Sequence, residues 1–169
     1  MRILYLIKNF DFGGAENHVL DLANSMANLD NEVYLITKKG LQSDRLNSKV
    51  KVIPLRMTDI LLPFQVIFIC LLMARYRIEI MHAHKRLAIL QASFAGKIMN
   101  VPVVATVHGR TKHDLRSWFS RRIPDRIIFV SGRTIEANRH LKPFRHKSVL
   151  IHNAVEINDC IEERDYYSV

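Results

Sequence analysis

Three groups of residues in this chain combine reactive or ligand-binding types with informative spacing. The first is Phe12-Gly13-Gly14-Ala15-Glu16. It stands where the apolar run Arg2-Ile3-Leu4-Tyr5-Leu6-Ile7-Lys8 gives way to Ala15, Val19, Leu22, Ala23 and Met26, a helical spacing. A strand, a glycine turn and a helix N-terminus together offer bare backbone N–H groups to an anion. Glycine has no Cβ, the first-turn N–H groups lack internal partners, and the helix dipole adds partial positive charge. The same two glycines also suit a plain tight turn.

The second group is His108-Gly109, directly after Val103-Val104-Ala105-Thr106-Val107. A histidine at a strand end beside glycine can present its ring to a ligand, or it can be a hydrogen-bonded structural residue. The third is Met81-His82-Ala83-His84-Lys85. His82 and His84 are read as pointing to opposite faces of one strand. On that reading they are poor co-ligands for a metal, and no third ligand is evident. One of the pair then lines a cleft while the other packs.

Other chemistries lack their signatures. Ser131-Gly132 is not set in a Gly-x-Ser-x-Gly elbow. Neither a Gly-x-x-x-x-Gly-Lys-Ser/Thr loop nor a Gly-x-Gly-x-x-Gly turn after the first strand is present.

The elements that must position these residues alternate. Short apolar strands are expected at 2–8, 32–38, 50–54, 78–83, 101–107, 126–130 and 148–151. Helices are expected from Ala15 to near Asn28, at 60–74 with Thr58 or Asp59 near its cap, and at 87–99 and 131–140. Residues 41–47 read as a loop and 111–122 as an amphipathic basic segment. β-branched strands alternating with helices imply a parallel sheet with helices on both faces, a single α/β domain. Ligands bind such sheets beyond the carboxyl ends of the strands. The polar residues to watch therefore lie at 9–16, 82–85, 108–110, 131–133 and 152–153.

At 169 residues the chain suits one domain with a full core. Cys70 and Cys160 are far apart and lack metal spacing, which suits a reducing, cytosolic compartment. The N-terminal apolar run is too short for a signal peptide. The net charge of +9 and an isoelectric point of about 9.8 point to an anionic partner. Nearly all of that charge lies between Gly109 and Lys147, where eleven Lys and Arg residues face three acids. Within it, Arg116, Trp118, Phe119, Arg121 and Arg122 mix aromatics with cations, as suits an anionic bilayer surface or a solvated helix with its aromatics packed on the sheet. No nucleic-acid-binding signature accompanies the charge. Residues 60–74 are apolar except Gln65, and too short to span a bilayer. They read as a helix buried on the sheet, or as one facing a membrane or partner.

Taken in order, Phe-Gly-Gly-Ala-Glu, Met81-His82-Ala83-His84, Pro102 through Gly109, Ile127-Ile128-Phe129-Val130-Ser131 and Val149 through Val155 resemble the N-terminal, acceptor-side domain of a GT-B-fold glycosyltransferase of the family-4 type. The resemblance covers about 1–157 and implies a Rossmann-like domain there, with 158–169 as the start of a linker or tail. It implies that Gly13 and Gly14 contact the donor and that His108 sits at the reaction centre. His84, Lys85 and Arg110 would line the acceptor side, Gly109 and Ser131 the cleft wall, and Asn153-Ala154 the hinge. The family usually has glycine at the second hinge position, and Ala154 departs from that.

The implied reaction moves a sugar from a nucleotide-diphosphate sugar to a hydroxyl, with retention at the anomeric carbon. No metal or cofactor is expected. The donor-binding second domain is expected beyond this chain, so the chain alone should be inactive. The expected partners are that domain, a sugar or lipid-linked acceptor and an anionic membrane surface, in cell-envelope glycan, lipopolysaccharide or glycolipid synthesis. The expected location is cytoplasmic, peripheral at the inner membrane face. Two alternatives stay open: a non-catalytic module or subunit of a split transferase, and half of a GT-B-fold sugar-nucleotide epimerase.

Overall fold

The structure, a computed structural model, describes residues 1–110 and 123–153, apart from the side chains of 140–143. The element order is β1 (Arg2–Asn9), α1 (Gly14–Asn28), β2 (Glu32–Lys38), β3 (Lys51–Pro54), α2 (Leu62–Tyr76), β4 (Ile80–His84), α3 (Arg86–Met99), β5 (Val103–Val107), β6 (Arg126–Phe129), α4 (Gly132–Ala137) and β7 (Ser148–Leu150). Short 3-10 turns occupy Ser43–Arg45 and Arg139–Lys147. The first lies within the expected loop. The second carries the chain on from α4, where a single longer helix is expected.

All seven strands are parallel, in the order β3-β2-β1-β4-β5-β6-β7. The chain builds outward from β1 to β3, returns through α2, and builds the other way from β4. β1 and β4 thus form the topological switch point, where the connections above the strand ends diverge and leave a crevice.

Alternation along β1 divides its side chains between two layers. Ile3, Tyr5 and Ile7 pack with Val19, Leu20, Ala23 and Ala27 of α1. Leu4 and Leu6 pack with Val66, Ile69 and Met73 of α2 and Ala88, Ala92 and Ala95 of α3. Gly96 lets α3 approach β5 closely: a Cβ there would lie 2.4 Å from Val103 Cγ2 and 2.8 Å from the Val101 carbonyl oxygen.

α2 corrects two details of the expected helix. It begins at Leu62 with no side-chain cap, and Pro63 occupies its first turn. Thr58 serves the helix differently: its backbone N–H donates to Gln65 Oε1 at 3.1 Å. Only one side of α2, including Val66, Ile69 and Met73, is buried, while Leu61, Phe64, Ile67 and Leu71 are exposed. Cys70 is half-buried against the same core and free, and burial raises its thiol pKa.

Candidate functional site

The strand register brings the histidines together. In β4, His84 pairs with Ile7 of β1 on one side and Thr106 of β5 on the other. His108 follows the end of β5, and α1 carries His18 over this point. The His18 ring centroid lies 5.6 Å from that of His84 and 5.2 Å from that of His108. His84 and His108 are 5.4 Å apart, and His82 and His84 only 4.3 Å.

The last distance corrects the opposite-face reading. Residues i and i+2 of a strand share a face, so His82 and His84 both point to the α1 side, beside Tyr5. Met81 and Ala83 take the opposite side and join the α2–α3 core. His84 is also fully buried, at 0% exposure, so its ring is covered by its neighbours rather than open to solvent.

The cluster forms a hydrogen-bonded stack. His82 Nε2 lies 2.7 Å from Thr106 Oγ1, and His84 Nδ1 lies 3.1 Å from His108 Nε2. His84 Nε2 is buried without a hydrogen-bond partner among the described residues. Burial is the main force on every ring here, because a low-dielectric surrounding disfavours the imidazolium. It lowers His82 to about 3 and His108 to about 4, with mutual repulsion adding to both and the Lys85 charge adding at His108. His84 falls well below the ordinary value for the same reasons, and burial also lowers His18. At neutral pH the stack is uncharged. A half-buried neutral His108 can give or accept one hydrogen bond at a ligand without adding charge.

His18, His84 and His108 each offer a ring nitrogen, all within 4.8 Å of one another. Three imidazoles are therefore available as a ligand set, and the third, His18, is the residue that the linear reading misses. Its signal is modest: one histidine on the inner side of α1, legible only once α1 is laid over β4.

The glycine loop joins the same site. Gly13 precedes α1 in extended backbone, with φ 169°, and neither glycine takes the left-handed conformation. Gly13 has a packing reason to lack a side chain: a Cβ there would lie 2.5 Å from Glu16 Oε2. A Cβ on Gly14 would meet nothing within 4 Å, and no side chain caps the first turn of α1. Bare backbone beside open space is what an approaching anion needs.

Two residues later the buried Glu16 forms an ion pair with Lys85, tying the start of α1 to the end of β4. Lys85 holds φ 67° and ψ 148°, a conformation that favours glycine.

Ser131 is occupied as the cap of α4: its Oγ accepts from the Thr134 N–H at 3.1 Å and lies 2.8 Å from Thr134 Oγ1. The buried Asn138 donates to the Gly109 and Thr134 carbonyls at 3.0 and 2.7 Å, holding the segment after His108 against α4. Arg110 is exposed two residues beyond His108, and Asn153 is exposed at the end of the described chain. Ala154, Arg116, Trp118, Phe119, Arg121 and Arg122 lie outside the described residues.

A parallel seven-stranded sheet flanked by helices is a Rossmann-like domain, and this one matches one half of GT-B glycosyltransferases. Residues 12–159 match the family model for Glycosyltransferase Family 4, and the chain belongs to that family. Among solved structures it is similar to a glycosyltransferase from Rickettsia africae (TM-score 0.74, 17% identity, 91% of this chain and 43% of that one). It is similar to Anabaena HepE in complex with UDP (TM-score 0.72, 18% identity, 92% and 44%). It is also similar to WaaB, a lipopolysaccharide outer core galactosyltransferase (TM-score 0.71, 15% identity, 98% and 50%). The chain thus spans half or less of the length of these proteins. A search of the curated proteins returns no match.

Proposed function

We propose that this chain is the acceptor-side half of a retaining glycosyltransferase. The complete enzyme would move a sugar from a nucleotide-diphosphate sugar to a hydroxyl of a sugar or lipid-linked acceptor. The setting would be cell-envelope glycan or glycolipid synthesis on the cytoplasmic side. The observation that carries this reading is the neutral histidine stack ending at His108, which packs against His18 of α1, the helix whose N-terminus follows Gly13.

In this reading the N–H groups of α1 contact the donor by hydrogen bonds and by the positive end of the helix dipole. His108 contacts the transferring sugar, where positive charge develops. An imidazolium there would oppose that charge, so keeping the ring neutral is itself the contribution of the buried stack. Lys85 and Arg110 orient the acceptor at the exposed side. The groups that neutralise the departing diphosphate belong to the second half of the enzyme. The transfer needs no metal on this account, and the present chain alone binds donor weakly and does not turn over.

The test uses the full-length enzyme. His108→Ala should lower turnover about 100-fold, the scale of one lost transition-state contact, while the thermal midpoint moves little. Unchanged turnover removes His108 from the site. Incubation with nucleotide sugar alone separates the remaining possibility, since an epimerase consumes donor without an acceptor.

A further inference from the structure

Four of the chain's eight histidines meet around His84, whereas contact with a sugar occupies one ring. The other rings need a reason of their own. His82 has one, since its Nε2 is engaged by the Thr106 hydroxyl at 2.7 Å. That leaves His18, His84 and His108. Zinc is held by imidazole nitrogens at about 2.0–2.1 Å and near tetrahedral angles, which sets ligand nitrogens about 3.4 Å apart and ring centroids about 5.2 Å apart. The three centroid separations here are 5.2, 5.4 and 5.6 Å. His84 Nδ1 and His108 Nε2 already stand 3.1 Å apart, and each of the three rings offers a nitrogen within 4.8 Å of the others. Closing the set asks chiefly that the His18 ring turn, and His18 is only half-buried.

A second observation points the same way. His84 is fully buried, and its Nε2 has no hydrogen-bond partner among the described residues. An imidazole covered in this state is costly as plain packing. His18 and His108 are partly open to solvent, which gives an ion a way in. The surrounding charge is compatible with a cation. Lys85, whose charge is felt at His108, is paired with Glu16, and the Asp21 carboxylate acts on His18 with the opposite sign. The donor set also selects the metal. Three neutral imidazoles with a fourth position open to water suit Zn²⁺, whereas Mg²⁺ and Ca²⁺ demand oxygen ligands.

We propose that His18, His84 and His108 form a Zn²⁺ site, with water as the fourth ligand. The ion replaces the His84–His108 hydrogen bond, and each neutral ring keeps its one proton on the nitrogen turned away from the metal. Binding ties α1 to the ends of β4 and β5 and takes the His108 ring out of reach of another ligand. On the function proposed above, a filled site therefore inhibits sugar transfer. That consequence rests on the earlier reading of His108; the metal site itself does not.

Cobalt titration tests it, on the untagged, metal-stripped chain of 169 residues. Four-coordinate Co²⁺ absorbs strongly in the visible, whereas the hydrated ion absorbs only faintly. The chain should take up Co²⁺ with the strong band, and Zn²⁺ should displace it and raise the thermal midpoint. His18→Gln should weaken Zn²⁺ binding at least ~100-fold, since a ligand is worth no less than the groups that orient it. His82→Gln should keep the band. If His18→Gln lowers the midpoint of the metal-free chain, His108→Gln carries the test. Absence of the strong band at excess Co²⁺ overturns the proposal, as does a band that survives both the His18 and the His108 variants. So does a thiolate charge-transfer band, which would assign the ion to Cys70 or Cys160. In the full-length enzyme Zn²⁺ should lower turnover, and His18→Gln should cancel the difference between assays with and without zinc. Zinc bound at the three rings with turnover unaltered would keep the site and remove His108 from sugar transfer.

Discussion

On one side of the sheet α1 covers Tyr5, His82 and His84; on the other, α2 and α3 cover Leu4, Leu6, Met81 and Ala83. The same strands supply both layers, and neighbouring residues of β4 go to opposite sides. The α2–α3 layer is aliphatic around β4, with the buried Gln65–Gln91 hydrogen bond set between its helices. The α1 layer sets four imidazoles near the strand ends, His84 fully buried and His18, His82 and His108 half-buried, and covering such polar rings costs stability. A fold that needed only a core would repeat the aliphatic solution on both sides. The difference separates what holds the domain together from what it is built to present.

The largest expected effect lies on the aliphatic side. Met81→Ala opens a cavity under α3 and should cost ~2–5 kcal/mol of stability by denaturant titration. Turnover per folded molecule of the full-length enzyme should stay unchanged. A loss of turnover at full folding would erase the distinction between the two layers.

Acid should act on the histidine side alone. His82 and His108 titrate near 3 and 4 in the folded protein, against 6.5 ordinarily. Between those values the unfolded chain binds protons that the folded chain refuses. Their contribution is therefore complete above pH 6.5 and is lost as pH falls towards 4. Each such histidine steepens the loss by ~1.4 kcal/mol per pH unit. Thermal midpoints recorded from pH 7 to 4.5, above the carboxylate range, should fall steadily, and His82→Gln should flatten the slope. An equal slope in that variant would mean the ring carries no penalty.

Lys85 sharpens the comparison at the junction of strand and helix. Lys85→Gly relieves the φ 67° strain and should melt higher than Lys85→Ala by the equivalent of ~1–3 kcal/mol. Both variants lose the Glu16 pair, so their difference isolates the backbone. Equal melting would show that the strain is negligible. The smallest effect belongs to Ser131→Ala, which removes the cap of α4 and should cost ~1 kcal/mol in the same measurement. A large loss of turnover with unchanged stability would show that Ser131 also meets a ligand at the cleft wall.

Much of this was legible locally. The strands around Leu4, Leu35, Ala105 and Ile127 follow from short β-branched runs, and α1 and α3 from apolar spacing near 3.6 residues. The shared face of His82 and His84 was legible too, because the two-residue strand period already requires it; the opposite-face reading fails on that rule. α2 was harder, since a helix apolar all round gives no sign of which side will be covered. The occupied Ser131 hydroxyl was equally hidden, since its partner Thr134 reads as an ordinary helix residue.

The sequence by itself determined the alternation of strands and helices, the apolar strand runs and the placement of Gly13, His108 and Ser131 at strand ends. These depend on neighbours a few residues apart, where side-chain period and turn chemistry act. Only the tertiary structure decided that β4 would lie against β1, with α1 laid across their ends. That placement brings His18 to His84 and His108, pairs Glu16 with Lys85 across the switch point, and leaves the outer face of α2 bare. The reason is that strand order arises from how whole layers bury their surfaces, and no local pattern in the chain encodes which distant strand will be the neighbour.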